Sequence, residues 1–163
     1  MDSSQEKITT FDEINKKRSK LGRIIAISGG FDPIHPGHIS YIQESKKHGD
    51  TLIVIVNGDA FLTAKKGKSF QDLETRSIIV SAIAGVDYVV PFEIKDDQTV
   101  CRALELLRPH IFANGGDRKD VESIPEWEIC KKHNIKIMTG VGVNKQWSSS
   151  KFLRNWGRYY NKK

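Results

Sequence analysis

Cysteine and long apolar runs are both scarce in this sequence, and each shortage excludes a class of protein. The 163 residues include two cysteines, Cys101 and Cys130, whose spacing matches neither a CxxC motif nor a zinc site. We therefore expect two reduced thiols with packing roles. No apolar run approaches the roughly 20 residues that a membrane-spanning helix requires, and the polar stretch 1–20 has no apolar signal-peptide core. These absences predict a cytoplasmic protein.

The composition is typical of one soluble globular domain that carries an excess of positive charge. Hydrophobic residues make up 38% of the chain, charged residues make up 28%, and the formal net charge is +6. A chain of this length can bury one sizeable core without disulfides or structural metal. Its basic groups are not interleaved with aromatic residues as in a single-strand-binding surface. Phosphorylated small molecules explain the charge as well as nucleic acid does, and we expect neither a nucleic-acid nor a membrane partner.

Short apolar segments alternate with helical ones, which predicts an α/β fold. We expect a polar lead-in over 1–22, with one short helix capped by Thr10, and a single domain over 23–163. The predicted strands are 23–28, 51–56, 87–91, 111–113 and 135–139, and the predicted helices are 38–48, 73–84, 100–107, 123–133 and 149–160. Such alternation indicates a mostly parallel sheet of about five strands. Ligands bind beyond the carboxyl ends of such strands, so the loops there are candidate sites.

The loop after the first strand combines glycines and histidines at the start of a helix. It contains Gly29, Gly30, Phe31 and Asp32, followed by His35-Pro36-Gly37-His38. Glycines let backbone N–H groups approach a ligand, and the helix that follows points its positive dipole end into the same space. Imidazoles can donate hydrogen bonds to phosphate oxygens and stabilise charge as an α-phosphate is attacked. We interpret this loop as a polyphosphate site; the alternatives are a plain turn and a zinc site, which would need further ligands.

A group of lysines follows the second predicted strand. Asn57-Gly58-Asp59 forms a turn there, and a loop with Lys65, Lys66 and Lys68 comes next. A mobile lysine loop can close over phosphates, and a solvated run of charge is the alternative. Arg76, on the next helix, is placed either to reach a phosphate or to form an ion pair on the helix surface.

Two later loops contribute polar groups to the same edge of the predicted sheet. Asn114, Gly115, Gly116 and Asp117 follow the fourth strand, where the backbone can pass close to a base or ribose and Asp117 can accept hydrogen bonds. The alternative is a simple turn with a capping aspartate. Ser148, Ser149 and Ser150 precede the last helix, and hydroxyls and N–H groups at a helix start suit β- and γ-phosphates. Trp127 and Trp147 have two interpretations, as pocket residues or as core and dimer packing.

Taken in this order, the motifs resemble the cytidylyltransferase-like superfamily, whose signature is HxGH after a first strand. The match covers roughly 23–153 and is most similar to adenylyltransferases that act on heptose 1-phosphate, with glycerol-phosphate cytidylyltransferases next. The resemblance implies a Rossmann-like parallel sheet with helices on both faces, Mg2+ dependence and commonly a homodimer. It also implies that AMP or CMP is transferred from ATP or CTP to a sugar or polyol phosphate, with release of pyrophosphate.

The resemblance assigns a role to each site residue. The catalytic groups are His35, His38, Lys65 and Lys68. The nucleotide-binding residues are Gly29, Gly30, Phe31, Asp32, His35, His38, Asn114, Gly115, Asp117, Ser148, Ser149 and Ser150. The acceptor-binding residues are Asn57, Asp59, Lys66, Arg76 and Arg118, and no protein side chain is assigned to a metal.

Two departures from the heptose-type pattern leave the acceptor open. Asn114 and Arg118 stand where those enzymes usually have a lysine and a tyrosine. Two other functions compete with nucleotidyl transfer: a non-catalytic nucleotide-binding module, and a tRNA-charging enzyme that shares the HxGH-type site. The second would need an anticodon-binding region, for which a chain of this length has no room.

Overall fold

Five parallel strands form one sheet at the centre of the molecule. The computed structural model describes residues 4–94, 99–115, 121–143 and 146–161. The strands are β1 (Ile24–Gly29), β2 (Thr51–Asn57), β3 (Tyr88–Phe92), β4 (Ile111–Gly115) and β5 (Lys136–Val141). The helices are α1 (Phe11–Lys16), α2 (Pro36–Lys46), α3 (Asp59–Lys66), α4 (Leu73–Ser81), α5 (Cys101–Leu107), α6 (Trp127–Lys132) and α7 (Ser149–Tyr160). The strand order β3-β2-β1-β4-β5 confirms the predicted Rossmann-like α/β fold.

The apolar strands supply both faces of the core. Every residue of β2 is buried, as expected for a central parallel strand that is covered on both sides. Alternate residues of β1 point to opposite faces, Ile24 and Ala26 to one and Ile25 and Ile27 to the other. Helices α1, α5 and α6 cover the first face, and α2 and α4 cover the second. The predicted placement of helices on both faces is therefore confirmed.

The pairing between β1 and β4 is the shortest strand pairing in the sheet. β1 pairs with β2 over six residues, but its register with β4 extends over Ile25–Ile111 and Ala26–Phe112. The strand order reverses at this boundary, because the chain runs outward from β1 in one direction to β3 and in the other from β4 to β5. The first and second halves of the chain therefore meet along a short seam.

The lead-in packs against the sheet. Ile14 and Leu21 are buried in the core, and Ile8 forms a parallel bridge with Val89. The predicted cap of α1 is confirmed, since the Thr10 hydroxyl accepts a hydrogen bond from the Glu13 amide at 3.3 Å. Residues 4–22 thus extend the domain core instead of standing apart from it.

One helix lies where the sequence predicts a lysine loop. α3 begins after Gly58 and ends at Gly67, whose φ of 89° lies in the left-handed region that glycine favours at helix ends. Leu62 is its one buried residue. The helix was missed because eight residues with a single buried position give almost no periodic signal. Lys65 and Lys66 consequently lie in an ordered last turn, and Lys68 follows the helix.

Helix α7 is amphipathic and buries none of its residues. Phe152, Trp156, Tyr159 and Tyr160 follow the spacing of one helix face and are exposed. Lys151, Arg154 and Arg158 follow the spacing of the opposite face. Residues 129–163 contain nine lysines and arginines and no acidic residue, so positive charge is concentrated at this end of the chain. None of the helices in the described ranges has the length and apolar character needed to cross a bilayer.

Candidate functional site

A cleft of about 780 Å³ opens at the carboxyl ends of the strands, where the strand order reverses. Its walls come from the loop after β1 and the starts of α2 and α7. Most of the predicted site residues line it: Gly29, Gly30, Phe31, Asp32, His35, His38, Asn57, Lys65, Lys66, Asn114, Gly115, Ser148, Ser149 and Ser150. The structure therefore brings together loops that lie far apart in the sequence.

The two histidines are held side by side at the start of α2. His35 is the N-cap, and its Nδ1 accepts a hydrogen bond from the His38 amide at 3.3 Å. Pro36 follows at the first helical position, where its missing N–H costs nothing. The imidazole rings stack with centroids 3.7 Å apart and 11° between their planes. The edge of Phe31 packs on His38, with centroids 5.1 Å apart, which fixes the ring from the other side.

Burial keeps both imidazoles neutral at pH 7. Burial, together with the nearness of His35, lowers the pKa of His38 to about 3, and burial also lowers the pKa of His35. Nδ1 of His38 has no hydrogen-bond partner among the described residues. A neutral imidazole has one N–H donor and one acceptor nitrogen. The pair can therefore donate hydrogen bonds to an anion without carrying a permanent charge.

The start of α7 faces the same space as the start of α2. The Ser148 hydroxyl caps α7, and the Ser149 hydroxyl donates to the carbonyl of Pro33 at 2.7 Å, which ties α7 to the histidine loop. Trp147 lines the cleft beside them. Two helix N-termini thus converge on one cavity, an arrangement that attracts anions.

Asp32 joins the lysine segment to the histidine loop. It is 2% exposed and accepts hydrogen bonds from the Phe70 and Gln71 amides, at 2.7 and 2.8 Å. Lys66 Nζ lies 2.7 Å from its carboxylate and also donates to its carbonyl. Burial alone would raise the pKa of Asp32, but these hydrogen bonds outweigh it and hold the pKa below its usual range. The carboxylate thus fixes the position of Lys66 at the edge of the cleft.

The structure corrects the role expected of Arg76. Its side chain is fully buried, and its guanidinium donates to the carbonyls of Gly30 and Asn57 at 2.8 and 2.6 Å. It also forms an ion pair at 2.7 Å with Asp59, whose side chain is 40% exposed. Arg76 therefore braces the ends of β1 and β2 and does not line the cleft. Lys68 is exposed and also lies outside the cleft lining.

Several residues that line the cleft carry no motif in the sequence. They include Tyr41, Thr99, Val100, Glu126 and Gln146. Tyr41 lies three residues after His38, and this spacing is the one signal that places it on the same side of α2. Its hydroxyl donates to the Ala113 carbonyl at 2.6 Å, and burial raises its pKa. Asp117 and Arg118 lie outside the described residues.

Comparison with known proteins agrees with this geometry. A family model described as cytidylyltransferase-like matches residues 26–152. The bifunctional protein HldE of Aliarcobacter butzleri is 36% identical over 144 residues, 85% of this chain and 30% of that protein. The HldE protein of Photorhabdus laumondii is 40% identical over 114 residues, 69% of this chain and 23% of that protein. The chain thus spans less than a third of the length of these curated relatives.

Solved structures share the fold. A lipopolysaccharide core biosynthesis protein from Thermoplasma volcanium superposes with a TM-score of 0.63 at 28% identity, covering 75% of this chain and 98% of that one. A pantoate-beta-alanine ligase from Francisella tularensis superposes with a TM-score of 0.58 at 16% identity, covering 86% of this chain and 67% of that one. The second likeness concerns the fold alone. With its HxGH loop at the head of the cleft and a family model matched over most of its length, the chain belongs to the cytidylyltransferase-like family of nucleotidyltransferases.

Proposed function

We propose that this protein transfers AMP or CMP from a nucleoside triphosphate to a sugar or polyol phosphate and releases pyrophosphate. The observation that carries the proposal is the stacked His35–His38 pair, which lines the same cleft as the glycine loop and the start of α7. The N-termini of α2 and α7 are both suited to binding phosphate groups. The match to HldE proteins supports a sugar phosphate as acceptor, in keeping with the resemblance to heptose 1-phosphate adenylyltransferases.

The reaction needs positioning and charge stabilisation more than a protein nucleophile. An oxygen of the acceptor phosphate attacks the α-phosphorus, a new P–O bond forms, and the bond to the β-phosphate bridging oxygen breaks as pyrophosphate leaves. His35 and His38 donate hydrogen bonds to the oxygens on which charge develops. The start of α7, with Ser148 to Ser150, holds the β- and γ-phosphates. Lys65 and Lys66 bind the phosphate of the acceptor.

We propose that a magnesium ion enters with the triphosphate, since the described residues gather no metal site of their own. No group of three or more histidine, cysteine, aspartate or glutamate side chains is gathered in the ranges that the structure describes. Asp32, the carboxylate beside the histidines, is already engaged by Lys66 and two amides. Mg2+ is commonly bound by phosphates and water with one or two carboxylates. When bound, it neutralises charge on the triphosphate.

Three further expectations belong to this proposal. A cytoplasmic location suits an enzyme that consumes nucleoside triphosphates, and the family resemblance supports a homodimer, which light scattering of the purified protein tests.

Arg118 offers a planar guanidinium suited to bidentate phosphate or carboxylate recognition. We expect Arg118→Ala to raise KM for the acceptor more than KM for the nucleotide; an unchanged acceptor KM assigns it to the surface.

A pyrophosphate-release screen tests the function directly. Four nucleoside triphosphates are crossed with sugar, polyol and amino-alcohol phosphates in the presence of Mg2+. We expect ATP or CTP with a sugar or polyol phosphate to give release that depends on both substrates. Omission of the acceptor is the control for simple hydrolysis. Nucleotide binding without pyrophosphate release from any pair would favour a non-catalytic module instead.

A further inference from the structure

Two buried carboxylates lie in the wall of a cleft that otherwise suits anions: Asp32 is paired with Lys66, whereas Glu126 has no ion pair among the described residues. Glu126 is 8% exposed and lines the same cleft as His35 and Lys66. Withdrawing a carboxylate from water is costly, and a phosphate placed beside it would be repelled. Its presence there indicates that this part of the cleft receives a different chemical group.

A helix-capping role does not explain why the Glu126 carboxylate is buried in the cleft wall. It is the N-cap of α6, but its side chain makes no capping hydrogen bond there. The carboxylate instead reaches the start of α5, where the Val100 amide lies 3.5 Å from Oε1, at the outer limit of a hydrogen bond. Among the described lysines and arginines, none forms an ion pair with it. The contacts among the described residues therefore leave most of the acceptor capacity of the Glu126 carboxylate unused.

A second acceptor of hydrogen bonds lines the same cleft. Asn57, at the end of β2, is 6% exposed, and its Oδ1 has no partner among the described residues. Both residues line the cleft, Asn57 from the end of β2 and Glu126 from the start of α6. Carboxylate and amide oxygens only accept. An organic ligand that satisfies both must carry hydrogen-bond donors.

Charge distinguishes between the two kinds of donor that would fit. An ammonium group would pair with Glu126, but it would enter a cleft that Lys65 and Lys66 also line. Hydroxyl groups donate without adding charge. We propose that Glu126 is a specificity-determining residue that accepts hydrogen bonds from hydroxyls of the acceptor substrate. This inference rests on the proposed nucleotidyl transfer and deepens it: the acceptor is a hydroxyl-bearing phosphate, held by its hydroxyls at Glu126 and by its phosphate at Lys65 and Lys66.

The test compares Glu126→Gln with Glu128→Gln in the full chain. Glutamine keeps the shape of glutamate, and Glu128, two residues further on, is exposed and serves as the matched control for loss of one negative charge. Kinetics are measured with whichever of heptose 1-phosphate and glycerol 3-phosphate the unaltered protein uses. The inhibition constants of n-propyl phosphate and ethanolamine phosphate, which lack hydroxyls, are measured against that acceptor. The melting temperature reports on folding.

We expect Glu126→Gln to raise the acceptor KM about tenfold, the effect of one weakened charge-assisted hydrogen bond. The nucleotide KM, the melting temperature and the inhibition constant of n-propyl phosphate stay unchanged, and Glu128→Gln resembles the unaltered protein. An unchanged acceptor KM, or an equal rise in the constants for acceptor and n-propyl phosphate, overturns the inference and leaves the proposed function standing. A selective loss of ethanolamine phosphate binding shows an ammonium site and also overturns it. Absence of pyrophosphate release with every pair contradicts the proposed function and, with it, this inference.

Discussion

At the scale of single residues, the two histidines have different structural duties. His35 caps α2 through Nδ1, while Nδ1 of His38 has no partner among the described residues. Loss of His35 therefore removes a helix cap together with the proposed phosphate contact, and an N-cap side chain contributes about 1 kcal/mol. Nδ1 of His38 has no such structural role within the part of the chain that the structure describes. Substitutions at His35 and His38, which lie within one helical turn, can therefore separate effects on stability from effects on catalysis.

We predict that His35→Ala and His38→Ala each lower kcat by roughly 100-fold, because each removes a donor to charge that develops in the transition state. His35→Asn retains a capping oxygen and should recover stability more than activity. His48→Ala, an exposed histidine beyond the other end of α2, is the control. Steady-state kinetics and circular dichroism measure the two effects. Near-normal turnover in both alanine variants would contradict the assigned role.

The pKa of His38 predicts a pH dependence of stability. Its folded-state pKa of about 3 lies below the ordinary value of 6.5, so the unfolded state takes up the proton first as pH falls. The stability that depends on neutral His38 is present above pH 6.5 and is lost progressively toward pH 3. We expect the unaltered protein to lose about 1.4 kcal/mol more than His38→Gln between roughly pH 7.5 and 5.5. Urea unfolding at both pH values measures this; equal losses would show that His38 is accessible to protons in the folded state.

At the scale of secondary-structure elements, α7 depends on its first turn. No residue of this 12-residue helix is buried, and isolated helices of about this length are marginal in water. The Ser149 hydroxyl donates to the Pro33 carbonyl, and Phe152 packs edge-to-face with His35 at 6.1 Å between ring centroids, so both side chains tie α7 to the histidine loop. A triphosphate at the same helix start would add further contacts.

Ser149→Ala should therefore weaken the rise in melting temperature that ATP or CTP with Mg2+ produces. A ligand that binds only the folded state stabilises it by mass action, and the variant loses a hydroxyl and the fixed position of the helix start. Without nucleotide we expect a fall of only about 2–4 °C, equivalent to about 1 kcal/mol. Ser19→Ala, at an exposed position far along the chain, is the control. A full nucleotide shift in Ser149→Ala contradicts a role for this hydroxyl.

The elements that the sequence predicts well are those with a strong local pattern. The β-branched run of β2 and the amphipathic repeat of α7 fix both elements to within a residue. Helix α3 has no comparable pattern, because one buried leucine in eight residues does not define a face. Sequence-based prediction therefore misses α3 because its residues show no repeating buried position.

The same distinction applies to the site. The HxGH loop and the serines of α7 are contiguous motifs, and the structure brings them to one cleft. The sequence makes Arg76 a candidate phosphate ligand, because an arginine occurs at this point in the family's order of motifs. Burial of its side chain depends on packing that the sequence does not show. Glu126 gave no signal, since it reaches the cleft from the start of α6 and belongs to no motif.

At the scale of the whole molecule, charge is unevenly distributed along the chain. The concentration of lysines and arginines after residue 128 includes the basic face of α7, whose first turn borders the cleft. Anionic substrates are attracted toward such a region, and the attraction is screened over about 10 Å at 0.1 M salt. The first turn of α7 thus lies beside the cleft in which we expect the nucleotide to bind.

We predict that kcat/KM for the nucleotide falls several-fold between about 25 and 250 mM KCl while kcat changes little. Arg158→Gln, on the exposed basic face of α7, should reduce this slope without altering kcat at saturation. Initial rates at several salt concentrations provide the measurement. A salt-independent kcat/KM would show that the distribution of charge plays no part in substrate capture.

A bound nucleotide would connect the two halves of the chain that meet along the short β1–β4 pairing. The histidine loop belongs to the first half of the chain and the α7 serines to the second, so a triphosphate held by both joins the two halves at the boundary with the shortest strand pairing. Binding at 100 times the dissociation constant adds about 2.7 kcal/mol to the folded state. The lifetime of the protein in a cell would then follow the supply of its own substrate: when nucleoside triphosphates run low, the enzyme becomes easier to unfold and degrade.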